Sequence, residues 1–284
     1  MRHGFLLIDK PKGITSHDAV SIVRKTLSER SVGHLGTLDP MATGLLVMAV
    51  GKKALKVVEL FSDLRKEYIA EVTFGSISST YDAEGILEEV PAKAGWQIPD
   101  EPTVRNVITD RFIGKVRQIP PAASAVHVAG VRAYQRMRRG EEVKLDAREV
   151  EIDACEIVKY EFPKLELRIS CSSGTYIRSL AHDLGQMLHS SAYLSALRRT
   201  KVGEWNVQNA HSPEQAQWGH VIPLKDVLVD FERLDLTADE WEDIRLGRVI
   251  ERDIKDGTFA WFEDLPVAIL KKLGEGECRA RKVF

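Results

Sequence analysis

Ser31-Val32-Gly33-His34-Leu35-Gly36-Thr37-Leu38-Asp39-Pro40-Met41-Ala42-Thr43-Gly44 is the stretch on which the reading of this chain turns. It has no hydrophobic period and carries three glycines, so it reads as a loop. Pro40 fixes its own φ and restricts Asp39 to extended conformations. Outward on the C-terminal side, Leu45 to Val50 is an unbroken apolar run, the mark of a buried strand. On the N-terminal side, Val20, Val23 and Leu27 share one helical face, with Ser16 as the expected N-cap and Asp18 in the first turn. Phe5-Leu6-Leu7-Ile8-Asp9 precedes it as a second buried strand, and Lys10-Pro11-Lys12-Gly13 forces a turn. Asp39 is therefore a carboxylate on a stiff loop above a buried strand, a placement suited to nucleophilic work. The plainer reading of an isolated Asp-Pro is a turn.

The rest of the chain alternates strand and helix signals. A helix is expected near Lys53–Ser62, and Tyr68, Ala70, Val72 and Phe74 alternate with polar neighbours as a half-buried strand. Val104, Ile108 and Phe112 mark a helix, and Glu151–Tyr160 with Leu165–Cys171 reads as a strand pair around Pro163. Residues 112–148 read as a basic, irregular flap. Ser172-Ser173-Gly174-Thr175-Tyr176-Ile177-Arg178 leads into a helix with Leu180, Ala181, Leu184 and Leu188 on its apolar stripe. Tyr176 and Arg178 then stand at a helix N-terminus, which favours anions. In isolation this is a cap followed by a surface arginine.

Charge and composition bound the function. Apolar residues make up 44% of the 284 and charged residues 29%, a soluble globular balance. No apolar run is long enough for a membrane span, and no signal segment is seen, so a cytoplasmic protein is expected. Net charge is −2, so a polyanion partner requires segregated bases. They are segregated: nine Lys and Arg against three acids lie between Arg111 and Arg148, and Arg198, Arg199 and Lys201 cluster further on. Cys155, Cys171 and Cys278 are widely spaced without a C-x-x-C, which points to buried thiols rather than a disulfide or zinc site. The phosphate-loop, dinucleotide, nucleophile-elbow, zinc-protease and zinc-deaminase patterns are all missing, so neither metal nor cofactor is expected. After about residue 228 the chain turns acidic, with 14 acids and ten bases and a capping box at Thr237-x-x-Glu240. That tail reads as a small separate α+β unit.

Taken in order, these pieces resemble the TruB family of tRNA pseudouridine synthases. The carriers are Leu7-Ile8-Asp9-Lys10-Pro11-Lys12-Gly13, Gly33 to Gly44, Lys66-Glu67-Tyr68, Tyr81-Asp82-Ala83-Glu84-Gly85, Gln118-Ile119-Pro120-Pro121, Cys171 to Arg178, and Leu197-Arg198-Arg199. They cover about residues 1–205. Leu35, Ala122-Ala123 and His127 depart from the family's usual residues.

The resemblance implies an α+β pseudouridine synthase fold with a mixed, mostly antiparallel central sheet. It implies a catalytic domain over 1–227 and a PUA-like RNA-binding domain over 228–284. It implies isomerisation of the uridine at position 55 of the tRNA T-loop, without cofactor, metal or obligatory protein partner, by a monomer. Asp39 becomes the catalytic carboxylate, attacking uracil C6 or ribose C1′. Tyr68 stacks on the base and is the candidate for removing the C5 proton, and Arg178 pairs with Asp39. Tyr176 and Leu197 line the base pocket, His34 enters the T-loop when the target flips out, and Lys10 supports the loop on the substrate side. Arg132, Arg136, Arg138, Arg139, Arg198, Arg199 and Lys201 are the candidate RNA-backbone contacts. Two other readings stay open: a tRNA-folding module with secondary catalysis, and a guide-RNA-dependent synthase with the same core. A glycoside hydrolase finds no second carboxylate in a comparable loop.

Overall fold

Continuous apolar strands need cover on both faces, and two strands next to the Asp39 loop receive it. In the computed structural model, Leu6, Ile8, Leu46, Met48 and Val50 enter one hydrophobic core, whereas Phe5, Leu7, Leu45, Val47 and Ala49 enter another. The structure describes residues 3–284 apart from 92, 125, 129 and 142, with the backbone alone at 128, 132 and 138.

Among the described residues the main sheet has ten strands. Gly4–Lys10 pairs antiparallel with Thr43–Val50, and Thr43–Val50 meets Ala192–Val202 in a short parallel contact. Ala192–Val202, Lys66–Phe74, Lys164–Cys171, Arg148–Glu161 and Gly114–Gln118 then follow, all antiparallel. The sheet is thus mixed and mostly antiparallel. Helices Ser16–Leu27, Glu101–Phe112 and Ile177–Met187 bury Val20, Val23, Val104, Ile108, Leu180 and Leu184 in the first core. No helix among the described residues is long and apolar enough to cross a membrane.

A second, five-stranded sheet is built from Arg233–Asp235, Val249–Glu251, Phe259–Phe262, Leu265–Gly274 and Glu277–Val283. Its own core, with Ala260, Ala268, Leu270 and Cys278, is capped by helix Ala238–Arg245, which starts at the Thr237/Glu240 capping box. Its other face is not free. Phe259, Trp261 and Ile269 pack into the second core of the main sheet beside Phe5, Leu45, Phe61 and Leu228. The tail, expected as a small separate unit, thus packs one face against strands Gly4–Lys10 and Thr43–Val50.

Several local expectations change. Val32–Leu35, expected as loop, is a strand, with His34 opposite Met48. Thr15, not Ser16, caps the first helix, because its hydroxyl and Asp18 form a reciprocal capping box. The helix expected at Lys53–Ser62 is two short pieces, Lys52–Leu55 and the 3-10 turn Val58–Phe61. Within the stretch 112–148, helix Glu101–Phe112 ends and strand Gly114–Gln118 pairs with Arg148–Glu161 in the main sheet. All three cysteines are free thiols; Cys171 and Cys278 are buried and Cys155 is partly so. Burial pushes the Cys155 thiol up to about 12 and the Cys171 thiol up to about 11, so both stay protonated and inert.

Candidate active site

The Asp39 loop is held from several sides by side chains that sequence patterns place far apart. Ser16 is buried, and its hydroxyl donates to the Leu38 carbonyl (3.0 Å) while accepting from the Leu38 N–H (2.8 Å). Lys10 is fully buried, and its ammonium donates to the carbonyls of Pro11, Ile14 and, at 3.4 Å, Pro40. Burial drives its pKa down to about 8, opposed by the Asp39 charge. Lys10 thus ties the loop to the turn before the first helix, and its ammonium reaches carbonyls inside the protein.

Asp39 emerges from this scaffold one third exposed. Arg178, at the start of helix Ile177–Met187, grips it in a fork: Nε stands 3.0 Å from Oδ2, and Nη2 donates to Oδ1 at 3.2 Å. Burial raises the Asp39 pKa, and Arg178 is the strongest influence pulling it back down. Arg178 itself is buried and also donates to the carbonyls of Thr80 and Ala123.

A second carboxylate sits on the same guanidinium. Asp82, only 3% exposed, lies 3.4 Å from Arg178 Nη1. It accepts from the Thr80 hydroxyl at 2.6 Å and the Glu84 N–H at 3.0 Å. The turn is tight enough that a Cβ on Gly85 would meet Ser78 Oγ at 2.3 Å. Tyr81, just before it, takes a φ of 64° and stacks on His182 with centroids 3.9 Å apart. The sequence reading gave Asp82 no role. Its motif was visible, but nothing local says that residue 82 folds onto residue 178.

Tyr68 and Leu197 are buried on neighbouring strands, and Tyr68 stands in register with Arg199. Burial raises the Tyr68 phenol above its usual range, with Arg199 opposing. Tyr176 is the N-cap residue of its helix, and Gln118 clamps its backbone, accepting from its N–H (2.7 Å) and donating to its carbonyl (2.9 Å). Ser179 donates to the Ile119 carbonyl, so the segment after strand Gly114–Gln118 is tied to the helix that carries Arg178. Gln118 went unassigned in the sequence for the same reason as Asp82. His34 is half-buried, and burial lowers its pKa, which keeps the imidazole neutral near pH 7.

The expected RNA-backbone residues divide. Arg139 is well exposed, near Glu141, and Arg136 pairs with Glu141 at 3.0 Å. Arg198 forks onto Asp9 but keeps an exposed edge, and Lys201 is exposed near Glu67. The side chains of Arg132 and Arg138 lie outside the described residues. Arg199 is a correction. It is 1% exposed, and its guanidinium donates to the carbonyls of Leu45, Thr37 and Gly36, so it is no phosphate contact. Its neighbour in sequence points outward because residues alternate along strand Ala192–Val202, which the basic cluster had hidden. Among the described residues no group of three His, Cys, Asp or Glu gathers to hold a metal.

Comparison with known proteins identifies the family. Residues 24–177 match the profile of the TruB family pseudouridylate synthase N-terminal domain. The tRNA pseudouridine synthase B of Mycobacterium tuberculosis is 39% identical over 267 residues, covering 90% of this chain and 87% of the relative. That of Syntrophomonas wolfei is 45% identical over 216 residues, 74% of this chain and 70% of the relative. A solved chain from a Cbf5-Nop10-Gar1 complex superposes with a TM-score of 0.69 at 23% identity, covering 99% of this chain and 84% of that one; this likeness bears on fold. On the profile and the extent of these relatives, the chain belongs to the TruB family of pseudouridylate synthases.

Proposed function

We propose that this protein converts the uridine at position 55 of the tRNA T-loop to pseudouridine, with Asp39 as the catalytic carboxylate. The observation that carries the reading is the Asp39–Arg178 fork on a loop held by Lys10 at the Pro40 carbonyl and by Ser16 at Leu38. A carboxylate so held is pre-oriented, and its ion pair favours the ionised, nucleophilic form. The name shared by the relatives, tRNA pseudouridine synthase B, supplies the substrate class.

The target base must leave the folded loop, since C5 and C6 are inaccessible in the stack. Asp39 attacks C6 or C1′, the N1–C1′ bond breaks, and the uracil turns. C5 then bonds to C1′ as the bond to Asp39 breaks and frees the carboxylate; the C5 proton passes to the Tyr68 hydroxyl as that hydroxyl gives up its own, and N1 regains a proton. Atoms balance without oxidant, reductant or water consumed. Tyr176 and Leu197 wall the base, and His34 fills the space that it vacates. The exposed arginines of the flap, with Arg198 and Lys201, grip phosphates, which position RNA without reading its sequence. The second sheet acts as a PUA-like RNA-binding domain.

The test is the purified chain with an unmodified tRNA transcript, carrying tritium at uridine C5, and no guide RNA or other protein. Tritium release with pseudouridine mapped to the T-loop is expected. Release elsewhere in the tRNA, or none from a folded transcript, defeats the proposal. Activity only with an added guide favours the guide-dependent alternative.

A further inference from the structure

Both ends of the Asp39 loop converge on one residue. At the start, Arg199 Nη2 donates to the Gly36 carbonyl at 3.1 Å and Nη1 to Thr37 at 3.4 Å. At the end, its backbone stands in register with Gly44, and Nε donates to the Leu45 carbonyl at 2.7 Å. The fit is close. Gly44 takes a φ of +101°, and a Cβ there would stand 2.3 Å from the Arg199 carbonyl oxygen. Gly36 takes a φ of +80°, and a Cβ there would stand 3.6 Å from the Arg199 Nη1.

The same residue faces Tyr68. Arg199 and Tyr68 are cross-strand partners, so their side chains project from one face of the sheet, and the guanidinium opposes the rise that burial imposes on the phenol's pKa. A planar fork with five donors can serve these three carbonyls and still face the phenol, which an ammonium with three donors cannot. Burial removes any competing water or phosphate.

We infer that Arg199 is a positioning residue of the reaction: one buried guanidinium fixes the Asp39 loop and the Tyr68 phenol relative to each other. This rests on Asp39 and Tyr68 acting as proposed above. Arg199 touches neither the RNA nor the reacting atoms. Its contribution should therefore appear in turnover and not in binding.

The experiment compares Arg199→Lys and Arg199→Met with wild type, alone and on a Tyr68→Phe background. Arg199→Lys keeps the charge in case the methionine variant does not fold, and circular dichroism checks both. A loss of about 100-fold in kcat is expected from a displaced reacting group, with RNA affinity and its salt dependence unchanged. On the Tyr68→Phe background the same change should cost clearly less, since the shared link is already cut. In the free protein, the carbon-13 signal of the Tyr68 ring carbon bearing the hydroxyl, identified by its absence in Tyr68→Phe, should shift in Arg199→Lys. A shallower salt slope with weakened binding would overturn the inference by making Arg199 a phosphate contact. An unmoved Tyr68 signal with fully multiplicative losses would overturn it too. A wild-type chain that forms no pseudouridine defeats the functional reading alone, because the Tyr68 signal is read without substrate.

Discussion

Replacing Arg178 by methionine removes the cation that Asp39 and Asp82 share, and the two carboxylates should respond differently. Asp82 is buried, with its oxygen 3.4 Å from Arg178 Nη1. Unit charges at that distance attract by about 5 kcal/mol at an effective dielectric constant of about 20. Breaking one side of a buried pair costs about 3–5 kcal/mol in practice. That is a large part of the roughly 5–15 kcal/mol that holds a domain folded. The Arg178→Met variant should therefore unfold at much lower urea. Adding Asp82→Asn should recover about 2 kcal/mol or more, because the stranded charge is gone. The amide oxygen still accepts from Thr80 and Glu84 as the carboxylate does.

Activity should not follow stability back. Asp39 loses its fork in both variants, so single-turnover tritium release should stay about 100-fold down in each. Arg178 also lowers the Asp39 pKa, so its loss raises that pKa and moves the acid limb of the remaining rate to higher pH. Urea unfolding followed by tryptophan fluorescence, beside tritium release, separates the two effects. A double variant as unstable as the single one refutes the stranded-charge argument. A double variant that regains turnover refutes the role of Arg178 in orienting Asp39.

Asp39→Asn should abolish product while tRNA still binds in a filter assay; turnover near wild type would remove Asp39 from its role. Wild-type turnover should fall as pH falls through the Asp39 pKa, with a midpoint above the ordinary 3.8, because burial raises it and only the ionised form attacks. The sign for stability is opposite: a raised folded-state pKa means that protonating Asp39 makes the folded state relatively more stable as pH falls. Phe259→Ala should cost about 3–5 kcal/mol and lower a single unfolding transition that includes the main sheet, as calorimetry would register. Changing Arg136 and Arg139 together to Ala should make the plot of log affinity against log salt shallower by about one to two units. An unchanged slope in a folded variant would mean that these arginines answer only to Glu141.

The motif order made the fold class legible, and periodicity placed helix Glu101–Phe112 and the strands around Tyr68 and Pro163. What sequence could not give were contacts between distant segments. Asp82 and Gln118 both lay in quoted motifs, yet their partners are Arg178 and Tyr176 on another element. Arg199 misled for a different reason. A run of bases looks like a phosphate surface, but in a strand alternate residues face opposite ways, and one of these faces inward. The packing of the tail was there to be read as well. Phe5 to Ile8 and Leu45 to Val50 are apolar at every position, which requires cover on both faces. The helices of the catalytic half supply one cover. The acidic composition of the tail drew attention from Phe259, Trp261 and Ile269, which supply part of the other.

On the proposed mechanism, the charge arrangement bears on how an anionic substrate can approach an anionic nucleophile. Asp39, Asp82 and Glu84 gather near the reacting position, and Glu84 is pushed up by burial and by the two aspartates. Left alone they would repel RNA. Arg178, Lys10 and Arg199 stand among them, each buried and each tied to carbonyls of the protein. Those cations offset the carboxylates without offering themselves to phosphates, which would otherwise compete with Asp39 for Arg178. On the proposed reading, gripping falls to the exposed bases Arg139, Arg198 and Lys201, whose partners Glu141, Asp9 and Glu67 are themselves partly solvated. Weak, screened pairs of that kind can be exchanged for phosphates at little cost, whereas buried pairs cannot. Salt should therefore tune how tightly RNA is held and leave the bound-state rate almost untouched. A single-turnover rate at saturating enzyme that fell in step with affinity would show that the inner cations meet the RNA after all.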